Sequence, residues 1–109
     1  MSPPKDVRSF GAEVRRRRES LGWSLPELAK RSRLTANYIG AIEVGHRDPS
    51  LSTMVKLAKG FDVPLAELLG RDGLSPAALE CVRLLEEVPQ NVRDAIESLL
   101  EFYGERRRR

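Results

Sequence analysis

One short segment, RLTANYIGAIEVGHR at residues 33–47, gathers Arg33, Thr35, Asn37, Tyr38, His46 and Arg47 around a row of small side chains. A carboxamide and two hydroxyls hydrogen-bond to planar polar edges, and guanidinium groups attract anions. On a helix of about 100° per residue, Ile39, Ile42 and Glu43 share one face. Asn37, Gly40, Ala41 and Val44 lie opposite, small enough for the helix backbone to approach a surface closely. Covalent chemistry finds little support elsewhere. The chain has one histidine, His46, and one cysteine, Cys81. It lacks a metal-spaced cluster, a nucleophile elbow and a phosphate-cradling glycine loop. The residue types therefore point to a binding protein, with no catalytic residue, metal or cofactor expected.

The elements that must hold this segment come from a pattern that is helical throughout, with no alternating strand. The chain has 109 residues, 40% apolar and 32% charged, which suits one small domain with an appended segment. Its apolar runs are too short for a membrane span or a secretory segment. A lone cysteine allows no internal disulfide and fits a reducing compartment, so a cytoplasmic protein is expected. Cys81, between Ala78 and Val82, reads as a small core or interface residue. The net charge of +3 conceals an asymmetry. Residues 1–70 carry 12 Lys and Arg against 8 Asp and Glu, residues 71–105 carry 3 against 8, and RRRR closes the chain. That division points to a polyanion-binding domain at 1–70 and a segment with a different task at 71–109.

Within the first part, a flexible start leads to a helix from about Val7 to Leu21, with Phe10, Val14 and Leu21 on one face and Gly22 ending it. Ser24 caps a second helix, with Glu27 completing a capping box, Pro26 in its first turn, and Leu28 and Ala29 facing inward. It ends near Arg31. Thr35 caps a third helix, reaching Gly45. After HRDPS, Ser50 or Ser52 caps a fourth, about Leu51 to Gly60, burying Leu51, Met54, Leu57 and Ala58. A fifth runs from Pro64 to Gly70. GRDGLSP is a linker, Ser75-Pro76 opens a sixth helix that stops at Val88-Pro89, and a seventh reaches about Tyr103.

Helices two and three are joined by about four residues, the geometry of a helix-turn-helix unit. The stretch from EVRRRRESLGWSLPELAKRSRLTANYIGAIEVG through PSLSTMVKLAKGFDVPLAELL resembles the Cro/repressor, or Xre-type, DNA-binding domain over roughly residues 10–69. The resemblance rests on the arginine-rich first helix, Gly22, Ser24, ELA, Thr35, Ile39 and IE-x-G. It implies an all-α, five-helix, lambda-repressor-like domain whose third helix enters the major groove, as a dimer on a palindromic operator. Thr35, Ala36, Asn37, Gly40 and Ala41 are then the candidate base contacts. Asn37 is suited to bidentate pairing with adenine, and the alanines to thymine methyl groups. Ser24 and Leu25 at the second helix's start, with Arg33, Tyr38, His46, Arg47 and Arg15, are candidate phosphate contacts. The resemblance also pairs Arg18 with Glu43 across helices one and three, as a structural bridge. Family members usually have Gly at Arg33, often Gln at Leu25, and Arg, Ser or Gln at Ala41. The departures at Leu25 and Ala41 shift specificity toward methyl contacts, DNA shape and the spacing imposed by the dimer.

The seventh helix carries Val92, Ile96, Leu99, Leu100 and Tyr103 in one stripe, and the sixth offers Leu79, Val82 and Leu85 with Leu84 on the flank. A C-terminal helical hairpin could bury one stripe in the other. The surplus of Leu84, Leu100 and Phe102 favours a homodimer interface formed by Leu84, Val92, Ile96, Leu99, Leu100 and Tyr103. The competing use is docking of another protein or a small effector. The terminal arginines read as a disordered tail with non-specific phosphate attraction. The expected function is a dimeric, sequence-specific transcriptional regulator bound to double-stranded DNA, of an autoregulatory or restriction–modification-controller kind. The alternative is a protein-interaction module on the same fold, with weak or non-specific DNA binding.

Overall fold

Short polar residues placed just ahead of apolar helical runs set where the helices begin. The computed structural model describes residues 5–70 and 73–107. Among these residues the helices are α1 (Lys5–Ser20), α2 (Leu25–Ser32), α3 (Ala36–Glu43), α4 (Leu51–Phe61), α5 (Leu65–Leu69), α6 (Pro76–Glu87) and α7 (Gln90–Arg107). Side chains of Ser24, Thr35, Ser50 and Ser75 accept from the amides of Glu27, Tyr38, Thr53 and Ala78, satisfying donors that a helix start leaves open. Only half of the Ser24–Glu27 box forms, because the Glu27 carboxylate accepts instead from Arg31 at 2.9 Å.

Val14, Leu28, Ile39, Ile42, Val55, Leu57 and Leu65 are fully buried, so α1 to α5 share one core. Two glycines set how closely its helices meet. A Cβ on Gly11 of α1 would sit 2.0 Å from the Ile42 carbonyl oxygen of α3, and one on Gly60 of α4 3.0 Å from the Ser32 Cβ of α2. Gly60 therefore belongs inside α4. The left-handed cap that ends this helix is Asp62, at φ 59°. At the end of α1, Gly22 takes φ 72° and Trp23 N–H reaches the Arg18 carbonyl. Leu21, expected in the core, is 52% exposed because the helix has already ended at Ser20. The chain's one tryptophan, Trp23, stacks on Phe61 with ring centroids 5.8 Å apart, while the Arg31 guanidinium lies 4.1 Å above its ring.

Around α1 the arginine run separates by function. Arg18 donates to both Glu43 oxygens at 2.7 and 3.0 Å, and to the Trp23 carbonyl at 2.8 Å. Arg16 and Arg17 hold Glu13, and Arg17 also lies 3.5 Å from Glu67 of α5. The hydrogen bond from Arg16 lowers the Glu13 carboxyl below its ordinary value. Its contribution to stability is therefore full at neutral pH and fades as the pH falls through that lowered value.

The last two helices follow each other through the Val88-Pro89 turn, yet their main packing is with the preceding core: α6 lies on α5 and α7 on α4. Val82 packs against the core cluster, while Cys81 is exposed on α6 and so is not a core residue. Arg93 is 7% exposed, an unexpected burial for a charged residue of α7. It is satisfied by the Leu85 and Val88 carbonyls at 3.0 and 2.7 Å, at the end of α6. Residues 106–107 continue α7 as backbone, whereas residues 1–4 and the tail end, 108–109, lie outside the described residues. Among the described residues no helix is long and apolar enough to cross a membrane.

Candidate nucleic-acid interface

The α2–turn–α3 unit is built by two caps acting back to back. Arg33 closes α2 in the left-handed region, φ 59° and ψ 40°, with its N–H on the Ala29 carbonyl. Two residues later the Thr35 hydroxyl accepts from Tyr38 N–H at 3.1 Å and starts α3. Ile39 and Ile42 anchor α3 in the core, and Glu43 locks it to α1 through Arg18. The opposite face is therefore presented outward. A left-handed arginine is strained relative to glycine by about 1 kcal/mol. Arg33→Gly is expected to gain roughly that amount in thermal denaturation, and a lowered midpoint would mean that Arg33 sits there without strain.

Arg33, Leu34, Thr35, Asn37, Tyr38, Ala41 and Arg47 line one open depression of about 630 Å³. Its lining combines two guanidinium groups with a carboxamide, hydroxyls and apolar side chains. Arg47 lies over the Tyr38 ring, 5.4 Å from its centroid, and the Tyr38 hydroxyl meets Thr53 Oγ1 at 3.2 Å. That contact ties the face to the start of α4. Val44, exposed by 52%, adds an apolar patch beyond it.

The remaining expected site residues fall elsewhere. Ala36 is partly buried against the core cluster. Gly40 sits next to Leu25, whose Cδ1 would be 3.5 Å from a Cβ added there. Leu25 thus lies against α3 at Gly40 and is itself packed on the core. Ser24 is exposed at the α2 start, with its hydroxyl engaged by Glu27 N–H at 3.2 Å. His46 is exposed after α3, its N–H on the Ala41 carbonyl at 2.8 Å. Arg15 is exposed on α1 and lies 3.5 Å from Glu19, away from the depression's lining. Among the described residues no three His, Cys, Asp or Glu side chains are grouped to hold a metal ion.

Comparison with known proteins places this geometry. The helix-turn-helix family HTH_3 matches residues 14–68. The control protein C.SmaI of Serratia marcescens is 39% identical over 70 residues, covering 63% of this chain and 83% of that protein. The HTH-type transcriptional regulator ImmR of Bacillus subtilis is 30% identical over 67 residues, covering 62% of this chain and 53% of the regulator. Among solved structures, the restriction-modification controller protein C.AhdI of Aeromonas hydrophila superposes with a TM-score of 0.58 at 37% identity. That superposition covers 60% of this chain and 98% of C.AhdI. The SinR/SinI complex, at 23% identity and a TM-score of 0.53, shares the fold over 92% of this chain. The α2–turn–α3 unit, its Arg18–Glu43 lock and the family match together show that this chain belongs to the HTH_3 helix-turn-helix family, of the Xre type, a family of DNA-binding transcription regulators and not of enzymes.

Proposed function

We propose that the chain acts in the cytoplasm as a dimeric, sequence-specific controller of transcription, with α3 in the major groove of a palindromic operator. The observation that carries this reading is the depression along α3, whose lining brings Asn37 and Ala41 together with Arg33 and Arg47. Asn37 offers a donor and an acceptor to an adenine edge, and the alanine and Val44 methyl groups suit thymine. Arg33 and Arg47 meet the phosphates on either side, helped by the dipole at the start of α2. Dimerisation is assigned to residues 71–109, beyond the family match. Leu84, Val92, Leu99, Leu100 and Tyr103 are exposed there, Leu99 by 68% and Leu100 by 65%, and Ile96 lies between them half-buried. Pairing of two copies through this surface would set two α3 helices about 34 Å apart, one turn of DNA.

The test is selection of bound fragments from genomic DNA, followed by titration of the recovered and of random duplexes at several salt concentrations. An enriched two-fold-symmetric site and a steep salt slope are expected. Binding that stays weak at low salt would reject the regulator in favour of a protein-interaction module. Asn37→Ala is expected to relax preference at one base pair per half-site by about 1–3 kcal/mol, read from competition between single-base variants. An unchanged preference profile removes Asn37 from base readout.

A further inference from the structure

The start of α4 is gripped from two sides. From α7, the Glu97 carboxylate accepts Leu51 N–H at 2.7 Å, and Asp94 accepts from the Ser52 hydroxyl at 3.1 Å. Buried Arg93 adds a longer contact to the same hydroxyl, 3.4 Å. From the α3 side, the Ser50 hydroxyl caps Thr53 N–H at 3.1 Å and donates to Thr53 Oγ1 at 3.0 Å. That oxygen meets the Tyr38 hydroxyl, and the Tyr38 ring underlies Arg47.

The division of labour has a physical reason. The first amides of a helix have no partner within it, and one capping hydroxyl satisfies only one of them. Ser50 is committed to Thr53, so the Leu51 amide takes its acceptor from 46 residues away. A carboxylate there also faces the positive end of the helix dipole. The route from α7 to α3 runs from the Glu97 carboxylate to the Leu51 amide, along the first turn of α4 to Thr53, and from Thr53 Oγ1 to the Tyr38 hydroxyl.

We propose that Glu97 is a positioning residue for DNA recognition. By holding Leu51 it fixes the start of α4, and through Thr53 and Tyr38 it fixes Arg47 beside the groove-facing end of α3. This rests on the reading of α3 as the groove helix. It adds that a helix outside the family match helps set the DNA-contacting face.

Two variants of the full chain separate reach from charge. Glu97→Gln keeps an oxygen at the same reach and loses the charge. Glu97→Asp keeps the charge and loses one methylene of reach. Affinity is measured for the duplex recovered by selection and for a random duplex, with the dimer dissociation constant followed by sedimentation. Glu97→Gln is expected to bind the selected duplex within about twofold of the unaltered protein. Glu97→Asp is expected to bind it about tenfold more weakly, a typical size for coupling between sites, at an unchanged dimer constant. In a Tyr38→Phe background the same Asp substitution should cost almost nothing further, because the connection is already cut. The proposal is overturned if Glu97→Asp binds as the unaltered protein does, if the Gln variant is the weaker one, or if the loss follows the dimer constant. If the unaltered protein does not prefer the selected duplex over the random one, the groove reading fails first and the proposal with it.

Discussion

Truncating Glu43 to alanine is expected to cost about 3 kcal/mol of stability, the usual scale for removing one member of a buried ion pair. The Glu43 side chain is 4% exposed and that of Arg18 13%, so water cannot replace the lost carboxylate. Arg18 would keep only the Trp23 carbonyl. A loss of that size lowers the thermal midpoint by about 10 °C or more in a domain of this length. The bridge joins α1 to α3, so operator affinity should fall along with stability. Joint replacement, Arg18→Met with Glu43→Leu, is expected to recover most of the stability, since an apolar pair leaves no charge unpaired. Circular dichroism melts of the two single variants and the double variant check this. Single truncations costing under about 1 kcal/mol would show the pair to be solvated.

Gly11→Ala should cost about 2 kcal/mol net, for a different reason. Alanine favours the helix by about 1 kcal/mol. Against that, the new methyl would lie 2.0 Å from the Ile42 carbonyl oxygen and 3.1 Å from Glu43 Cα, both backbone atoms that cannot rotate aside. Helices α1 and α3 must separate, which loosens the core and draws the Arg18–Glu43 bonds apart. The matched control is Gly104→Ala in α7, where an added Cβ meets nothing within 4 Å and the midpoint should hold or rise. A Gly11→Ala protein as stable as its parent would mean that the helix–helix contact has room the backbone does not show.

The sequence was informative wherever a local rule decides the outcome. Ser24, Thr35 and Ser75 precede apolar runs, and each caps the helix that follows. Of Ser50 and Ser52 the first is the cap, while the second is buried and faces Arg93 and Asp94. The pairing of Arg18 with Glu43, which the family resemblance implied, is present in the fold. Contacts between distant elements were harder to read. Glycines inside helices look like weaknesses in a propensity scale, and only the neighbouring helix reveals Gly11 and Gly60 as points of close approach. The apolar stripes of α6 and α7 were visible, but nothing local says that α5 and α4 would receive them. Arg93 had one signal: Pro89 stops α6 and leaves its last carbonyls without partners, one turn before a cation able to take them. The depression beside α3 was legible in Asn37, Tyr38, Arg33 and Arg47. The partial burial of Ala36 and the cover that Leu25 gives Gly40 depend on how α2 lies across α3.

The stack of Trp23 between Phe61 and the Arg31 guanidinium gives this protein an optical property. As the chain's one indole, it dominates the emission, and its ring contacts Arg31 of α2 and Phe61 at the end of α4. Emission colour and intensity therefore report whether those two helices are still packed together, with no label attached. The far-ultraviolet signal counts every helix, α6 and α7 included. A heating scan in which ellipticity declines before the fluorescence changes would reveal the C-terminal helices peeling away from an intact N-terminal core, and coincident curves would show all seven melting as one unit.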